Sequence, residues 1–215
     1  MNNIADEINV LLSTIHLYFP IGMPSLHKKY DGYAKYRSIL HDKIEEVKLS
    51  SDKNWLSVMS DLELMSIGKI DNLSYLQFPS LKAKININKY DVENLSFTTS
   101  IVVVISLLTG KYTIYYEDHI KSLFKIDEKI SVSEVINIYL RSKDSSDISI
   151  ITNIKRIIEH NFPDHDYIDH FLIFLHKIES GFPNEQFDDN SIGNFPIYNY
   201  LFDNSLNSSC VNFFE

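Results

Sequence analysis

The chain has 215 residues, of which 44% are hydrophobic and 23% are charged, and its formal net charge is −9. This length fits one domain, and thirteen Phe with thirteen Tyr supply large apolar surfaces for a core. The negative charge disfavours nucleic acid and anionic membrane surfaces as partners, since the densest basic cluster is only His27-Lys28-Lys29.

The sequence also indicates a compartment. The single cysteine, Cys210, excludes an internal disulfide bond, so nothing points to an oxidising environment. The N-terminus lacks the basic residues of a signal peptide, and the apolar run Ile101–Ile105 is far too short to span a membrane. We therefore expect a cytoplasmic protein.

The first 65 residues predict three amphipathic helices. Ile4, Ile8, Leu11, Leu12 and Ile15 recur at helical spacing, and this first helix should end near Phe19-Pro20. A second helix should follow the turn Tyr30-Asp31-Gly32 and continue to Val47. A third should follow Ser51-Asp52, a plausible cap, and carry Trp55, Met59, Leu62 and Met65 on one side.

The middle of the chain predicts a sheet. Residues 83–87 alternate between apolar and polar side chains, as in a half-exposed strand. Residues 97–107 are apolar on both faces and predict a central strand, which the turn Thr109-Gly110 joins to a partner strand at 111–116. This alternation places Tyr115 on the opposite face of the sheet from Tyr112 and Tyr116.

Helices are expected again from Ile120 onward. Val132, Val135, Ile136 and Tyr139 predict one helix, and Ile150–Ile158, after Ser145-Ser146-Asp147, predict another. Phe162-Pro163-Asp164 should break the chain, and 167–178 should be helical, with a strand as the alternative. Residues 181–194 read as a polar loop and 195–202 as a short apolar element.

Together these elements predict an α+β fold, with an antiparallel β-sheet around a central hairpin at about 97–116. N-terminal and C-terminal helices should pack against the sheet. Residues 1–202 should form the single domain, and the Asn/Ser-rich segment 203–215 a loose tail.

Motifs for catalysis are missing from the sequence. The six glycines form neither a G-x-G nor a Walker pattern, and no Gly-x-Ser-x-Gly elbow is present. We therefore expect a protein without enzymatic activity and without a cofactor.

One cluster leaves a different function open. Between His160 and His176 the chain carries a dense set of Asp and His residues: Asp164, His165, Asp166, Asp169 and His170. If this segment is helical, residues four apart share a face and can hold one metal, as in a metal-dependent hydrolase. The order of a zinc protease motif is absent, and the alternative is a solvated turn whose Asp residues cap a helix.

Three stretches resemble a known group of proteins. They are Tyr18–Gly22 with Tyr30–Tyr33, then Ile105–Tyr115 (Ile-Ser-Leu-Leu-Thr-Gly-Lys-Tyr-Thr-Ile-Tyr), and Phe195–Phe202 (Phe-Pro-Ile-Tyr-Asn-Tyr-Leu-Phe). These stretches are similar to immunity proteins encoded beside bacterial polymorphic toxins of the contact-dependent, Rhs or type VI secreted kinds. The resemblance implies an inhibitor that binds a cognate toxin domain in the cytosol and blocks it sterically.

The partner surface is predicted from charge and loops. Clustered acidic side chains suit a basic partner, and loops present them without disturbing a core. The candidate residues are Asp164, Asp166, Asp169, Asp188 and Asp189, with Tyr33, Glu45 and Glu46 as a second corner. The tyrosines of 30–36 and 112–116 can instead belong to the core, and nothing in the sequence indicates the oligomeric state.

Overall fold

A computed structural model describes residues 4–23, 28–48, 52–74, 78–126, 129–139, 145–183, 195–203 and 211–214. Three helices come first, α1 (Ile4–Tyr18), α2 (Gly32–Lys48) and α3 (Lys53–Leu64). Five strands follow, namely β1 (Lys69–Asn72), β2 (Ser80–Val92), β3 (Leu95–Ser106), β4 (Lys111–Ile126) and β5 (Lys129–Tyr139). The remaining elements are α4 (Ser145–Asn161), β6 (Asp166–Tyr167), α5 (His170–Leu175), β7 (Lys177–Ile178), β8 (Phe195–Pro196), α6 (Ile197–Leu201) and β9 (Val211–Phe214).

One sheet organises the molecule. Its strands follow the order β1-β2-β3-β4-β5-β9, and β6 pairs with β4 beside this path. Strands β1 to β5 pair antiparallel, whereas β6 and β9 are parallel to their neighbours. The predicted α+β fold is confirmed, with β3 in the middle of the sheet and the turn Thr109-Gly110 joining β3 to β4.

Helices cover both faces of the sheet, because alternate residues of β3 point to opposite sides. Val102 and Val104 pack in one core cluster with α1, α2, α5 and α6. Ile101, Val103 and Ile105 pack in the other with α3 and α4. We call the side of the sheet with Val102 and Val104 the four-helix face and the opposite side the two-helix face. Tyr115 lies in the first cluster and Tyr112 and Tyr116 in the second, as alternation predicted.

The local signals for the first helices are confirmed. Asp52 caps α3, since its carboxylate accepts a hydrogen bond of 3.2 Å from the backbone N–H of Trp55. Helices α1, α2 and α4 also lie where the apolar periodicity placed them. Helical spacing of three or four apolar residues, with a cap or turn before it, was therefore a sufficient signal in these segments.

The predicted helix at 132–139 is wrong. Strand β4 continues to Ile126, and β5 pairs with it in register from Ile126↔Lys129 to Tyr116↔Tyr139. The same residues also alternate with period two, as Val132, Ile136 and Ile138 show, and β-branched side chains favour strands. Eleven paired positions along β4 decide between the two patterns in favour of a strand.

The C-terminal third also differs from its predictions. Residues 166–178 do not form one helix: only α5 is helical, with two-residue strands on either side. Phe182 and Pro183, expected in a polar loop, are buried, while 184–194 lie outside the described residues. The prediction of a loose tail is wrong for Asp203, which is 2% exposed, and for β9, which pairs with β5; 204–210 lie outside the described residues.

Candidate functional site

The predicted acidic residues Asp164, Asp166 and Asp169 are exposed in the short segment between α4 and α5, which contains β6. Asp166 forms a surface ion pair with Lys111, with Nζ and Oδ2 3.2 Å apart. Asp169 caps α5, since its Oδ1 accepts from the backbone N–H of Phe171 at 2.9 Å. The structure thus brings Asp164, Asp166 and Asp169 together locally, and two of them have structural roles. Asp188 and Asp189 lie outside the described residues.

The spacing on which the metal alternative depended is not formed. Asp166 lies in β6 and helix α5 begins only at His170, so Asp166 and His170 are not one helical turn apart. Among the described residues, no group of three His, Cys, Asp or Glu side chains could hold a metal ion. The Asp and His cluster instead runs from a turn through β6 to the cap of α5.

The second predicted corner is only partly on the surface. Tyr33 is 3% exposed and packs against Phe19 and Tyr30, so its assignment to a partner surface is wrong. Glu45 and Glu46 are exposed on α2, and Glu46 pairs with Lys43 at 3.0 Å. A large aromatic ring next to an amphipathic stripe is more often part of the core, and Tyr33 follows that rule.

A cavity of about 260 Å³ opens at a gap in the sheet. Strand β5 covers β4 only as far as Tyr116, and β6 covers it again at Lys111 and Tyr112. Between these two partners, no described strand pairs with the edge of β4. The cavity lies there, under α4, and its polar lining residues include Lys155, Asp169 and His170.

Lys155 contributes a cation to this cavity. Its ammonium nitrogen lies 3.2 Å from the centroid of the Tyr167 ring, a cation–π contact. Burial lowers the pKa of Lys155, while the charges of Glu159 and Asp169 oppose that shift. In the part of the chain that the structure describes, no carboxylate lies within ion-pair distance of this ammonium group.

His170 contributes a hydrogen-bond acceptor. Its side chain is buried, and Nε2 lies 2.8 Å from the backbone oxygen of Tyr139. Because a carbonyl only accepts, Nε2 donates, and in the neutral ring Nδ1 then carries a lone pair. Burial lowers the pKa of His170, which favours this neutral form at pH 7. Nδ1 is buried, has no hydrogen-bond partner among the described residues, and lies 3.5 Å from Oδ1 of Asp169.

A second candidate is the far end of the two-helix face, which the core does not reach. Here the cross-strand row Tyr90↔Phe97↔Ile120↔Val135 runs over four strands. Further apolar side chains lie beyond this row towards the strand ends. Neither these side chains nor those of the row belong to either core cluster. We call this set the distal surface: Tyr90, Val92, Leu95, Phe97, Ile120, Phe124 and Val135.

The distal surface is exposed or half-buried, and polar side chains separate it from the core. Tyr90 is 62% exposed, Val92 64% and Leu95 47%. Between the distal surface and the core lies Asp118, which accepts hydrogen bonds from Thr99 at 2.7 Å and from Tyr139. This polar row ends the core, so the apolar side chains beyond it form a separate patch.

Both edges of this part of the sheet are open. Strand β1 pairs with β2 only as far as Asn86, and β9 pairs with β5 only from Ile136 onward. Among the described residues, no strand pairs with the outer edge of β2 at 87–92 or of β5 at 129–135. Unpaired backbone groups at such edges can accept a strand from a partner.

Comparisons with family models, with curated proteins and with solved structures find no match to this chain. No helix within the described ranges is long and apolar enough to cross a membrane. Sequence reasoning missed the distal surface and Lys155. Tyr90 and Val92 alternate with Lys89 and Asp91 in the sequence, but no signal there shows that helices leave this face uncovered.

Proposed function

We propose that this chain is an immunity protein that binds a cognate toxin domain through the distal surface. The observation that carries the proposal is a patch of large apolar side chains that the core leaves uncovered. Contiguous exposed apolar patches mark interaction sites, because leaving them in water is unfavourable. Tyr and Phe are also the residue types that dominate binding energy at protein interfaces.

The surroundings of the patch favour a protein partner. Its rim on the same face carries uncharged side chains such as Asn88, Ser122 and Ser133. Among the described side chains of this part of the face, the only charged one is Asp118, which is buried. An apolar centre with a polar rim is typical of protein interfaces, whereas an anionic membrane would need exposed basic residues there.

Charged residues of the same strands point to the opposite face. There Lys89 pairs with Asp91 at 2.9 Å, and Lys121 pairs with Glu134 at 3.3 Å. Within each exposed pair the two charges cancel, so the net charge of −9 comes from the rest of the chain. A negative chain attracts a basic domain over long range, which speeds association with basic toxins such as nucleases.

The proposed mechanism is steric. The distal surface would bind the toxin domain, and the open edges of β2 and β5 would add backbone hydrogen bonds beside it. Such binding needs no catalytic group from this chain. It agrees with the three stretches that resemble immunity proteins, two of which, Ile105–Tyr115 and Phe195–Phe202, lie largely in the core and so maintain the scaffold.

The test requires the toxin domain itself. The reading frame immediately upstream should encode a large secreted protein, and its C-terminal domain is the probe. Co-expression of this chain should protect cells from that domain. A frame that encodes no such domain, or a failure to protect, would contradict the immunity function.

The surface is tested with a matched pair of variants. Phe124 and Leu123 are neighbours on opposite faces, exposed by 41% and 39%. Phe124→Glu and Tyr90→Glu should each weaken toxin binding by about thirtyfold or more, equivalent to about 2 kcal/mol. Leu123→Glu is the control and should bind as the wild type does. If neither distal variant weakens binding, the partner docks elsewhere.

A further inference from the structure

The cavity between α4 and the gap in the sheet has its own chemistry, separate from the distal surface. Its polar lining groups include the cation of Lys155, the carboxylate of Asp169 and the acceptor nitrogen of His170, beside Thr152 and four tyrosines. Its walls are partly apolar, with Ile114 from β4 and Ile151 from α4 among them. A pocket that combines apolar wall residues with convergent polar groups is typical of a small-molecule site.

We propose that this cavity binds a free apolar α-amino acid. The carboxylate of the ligand would pair with Lys155, whose ammonium has only the ring of Tyr167 as a partner among the described residues. The ammonium group of the ligand would donate to Nδ1 of His170 and to the carboxylate of Asp169. Its side chain would pack against the isoleucines.

The ligand explains two features that the fold alone leaves unsatisfied. Nδ1 of the neutral His170 has no hydrogen-bond partner among the described residues, and it lies 3.5 Å from Oδ1 of Asp169, which accepts from the backbone N–H of Phe171 and can accept a second hydrogen bond. An ammonium group beside these two atoms would donate one hydrogen to each. An anion beside Lys155 replaces the water that burial removes from this ammonium group.

Size and charge limit the ligand further. A volume of about 260 Å³ suits a molecule of amino-acid size and is below the range of most drug-sized ligands. One cation and one anion on the protein match a zwitterion. A peptide N-terminus would leave Lys155 without its anion, and a peptide C-terminus would leave Asp169 and His170 without their donor.

The experiment is calorimetric titration of the whole chain with four probes: L-phenylalanine, L-leucine, 3-phenylpropanoate, which lacks the amine, and 2-phenylethylamine, which lacks the carboxylate. At least one of the amino acids should bind saturably, and each truncated probe at least about tenfold more weakly than L-phenylalanine. No saturable binding of either amino acid up to about 10 mM would overturn the proposal. Equal binding of 2-phenylethylamine and L-phenylalanine would also overturn it and indicate a polypeptide N-terminus as the ligand.

Matched variants assign the contacts. Lys155→Met should weaken L-phenylalanine and 3-phenylpropanoate by at least about tenfold and leave 2-phenylethylamine unchanged. Arg156→Met, the exposed neighbour, should leave all affinities unchanged. Identical behaviour of the two variants would contradict the role of Lys155, and the probe series tests the site even if Lys155→Met folds poorly.

Discussion

Asp203 offers a direct test of how burial sets the strength of an ion pair. Its carboxylate lies 3.0 Å from Nζ of Lys82, and the two side chains are 2% and 12% exposed. The hydroxyl of Tyr198 donates to the same carboxylate oxygen at 3.1 Å. Asp203→Ala would leave a buried ammonium group without an anion, which costs about 3–5 kcal/mol. For a chain of this size the melting temperature should fall by roughly 6–20 °C.

The matched control is Asp166→Ala. Asp166 pairs with Lys111 at 3.2 Å, almost the same distance, but its side chain is 82% exposed. A solvated pair contributes only about 0–1 kcal/mol to stability, so the urea midpoint of this variant should be close to that of the wild type. Urea unfolding followed by circular dichroism measures both. Equal losses from the two variants would refute the reasoning that burial decides the cost.

Two further predictions concern the fold. Val103 is fully buried in the middle of β3, so Val103→Asp should prevent folding, and a soluble variant with a cooperative thermal transition would contradict the central position of β3. Burial raises the pKa of Tyr36 to about 12 and that of Tyr198 well above its usual 10.0. Because these tyrosines ionise more readily in the unfolded chain, their contribution to the free energy of unfolding is fully present below pH 10 and is lost as the pH rises towards 12. The urea midpoint should fall between pH 9 and pH 11, less steeply in Tyr198→Phe, and a flat profile would contradict this.

The sequence was enough to predict those elements whose own residues carry the signal. Helices α1 to α4 bury one stripe each, and the turn Thr109-Gly110 joins two strands of strong β-propensity. Strand β5 was missed because its apolar residues fit both periods, and pairing with the distant β4 decided between them. The short strands β1 and β9 exist only through their neighbours, so their own few residues carry no clear signal.

The candidate sites depend on where elements stop, which the sequence does not state. The cavity exists because β5 and β6 leave part of β4 uncovered. The distal surface exists because α3 and α4 pack in the core cluster of Ile101, Val103 and Ile105, which does not include the far end of β3. Acidic residues were visible in the sequence as a cluster, but Asp166 and Asp169 are used for an ion pair and a helix cap. The sequence therefore showed the acidic cluster but not the structural roles of two of its members.

Hydrogen–deuterium exchange of the free chain and of its complex with the upstream-encoded toxin domain tests the central claim most directly. Outward-facing amides of β2 at 88–92 and of β5 at 131–135 have no partner strand among the described residues and should exchange quickly in the free chain. In the complex, exchange should slow at 88–98 and 118–124. Protection confined to the turn at 162–169, or to α4 and α5, would contradict docking at the distal surface.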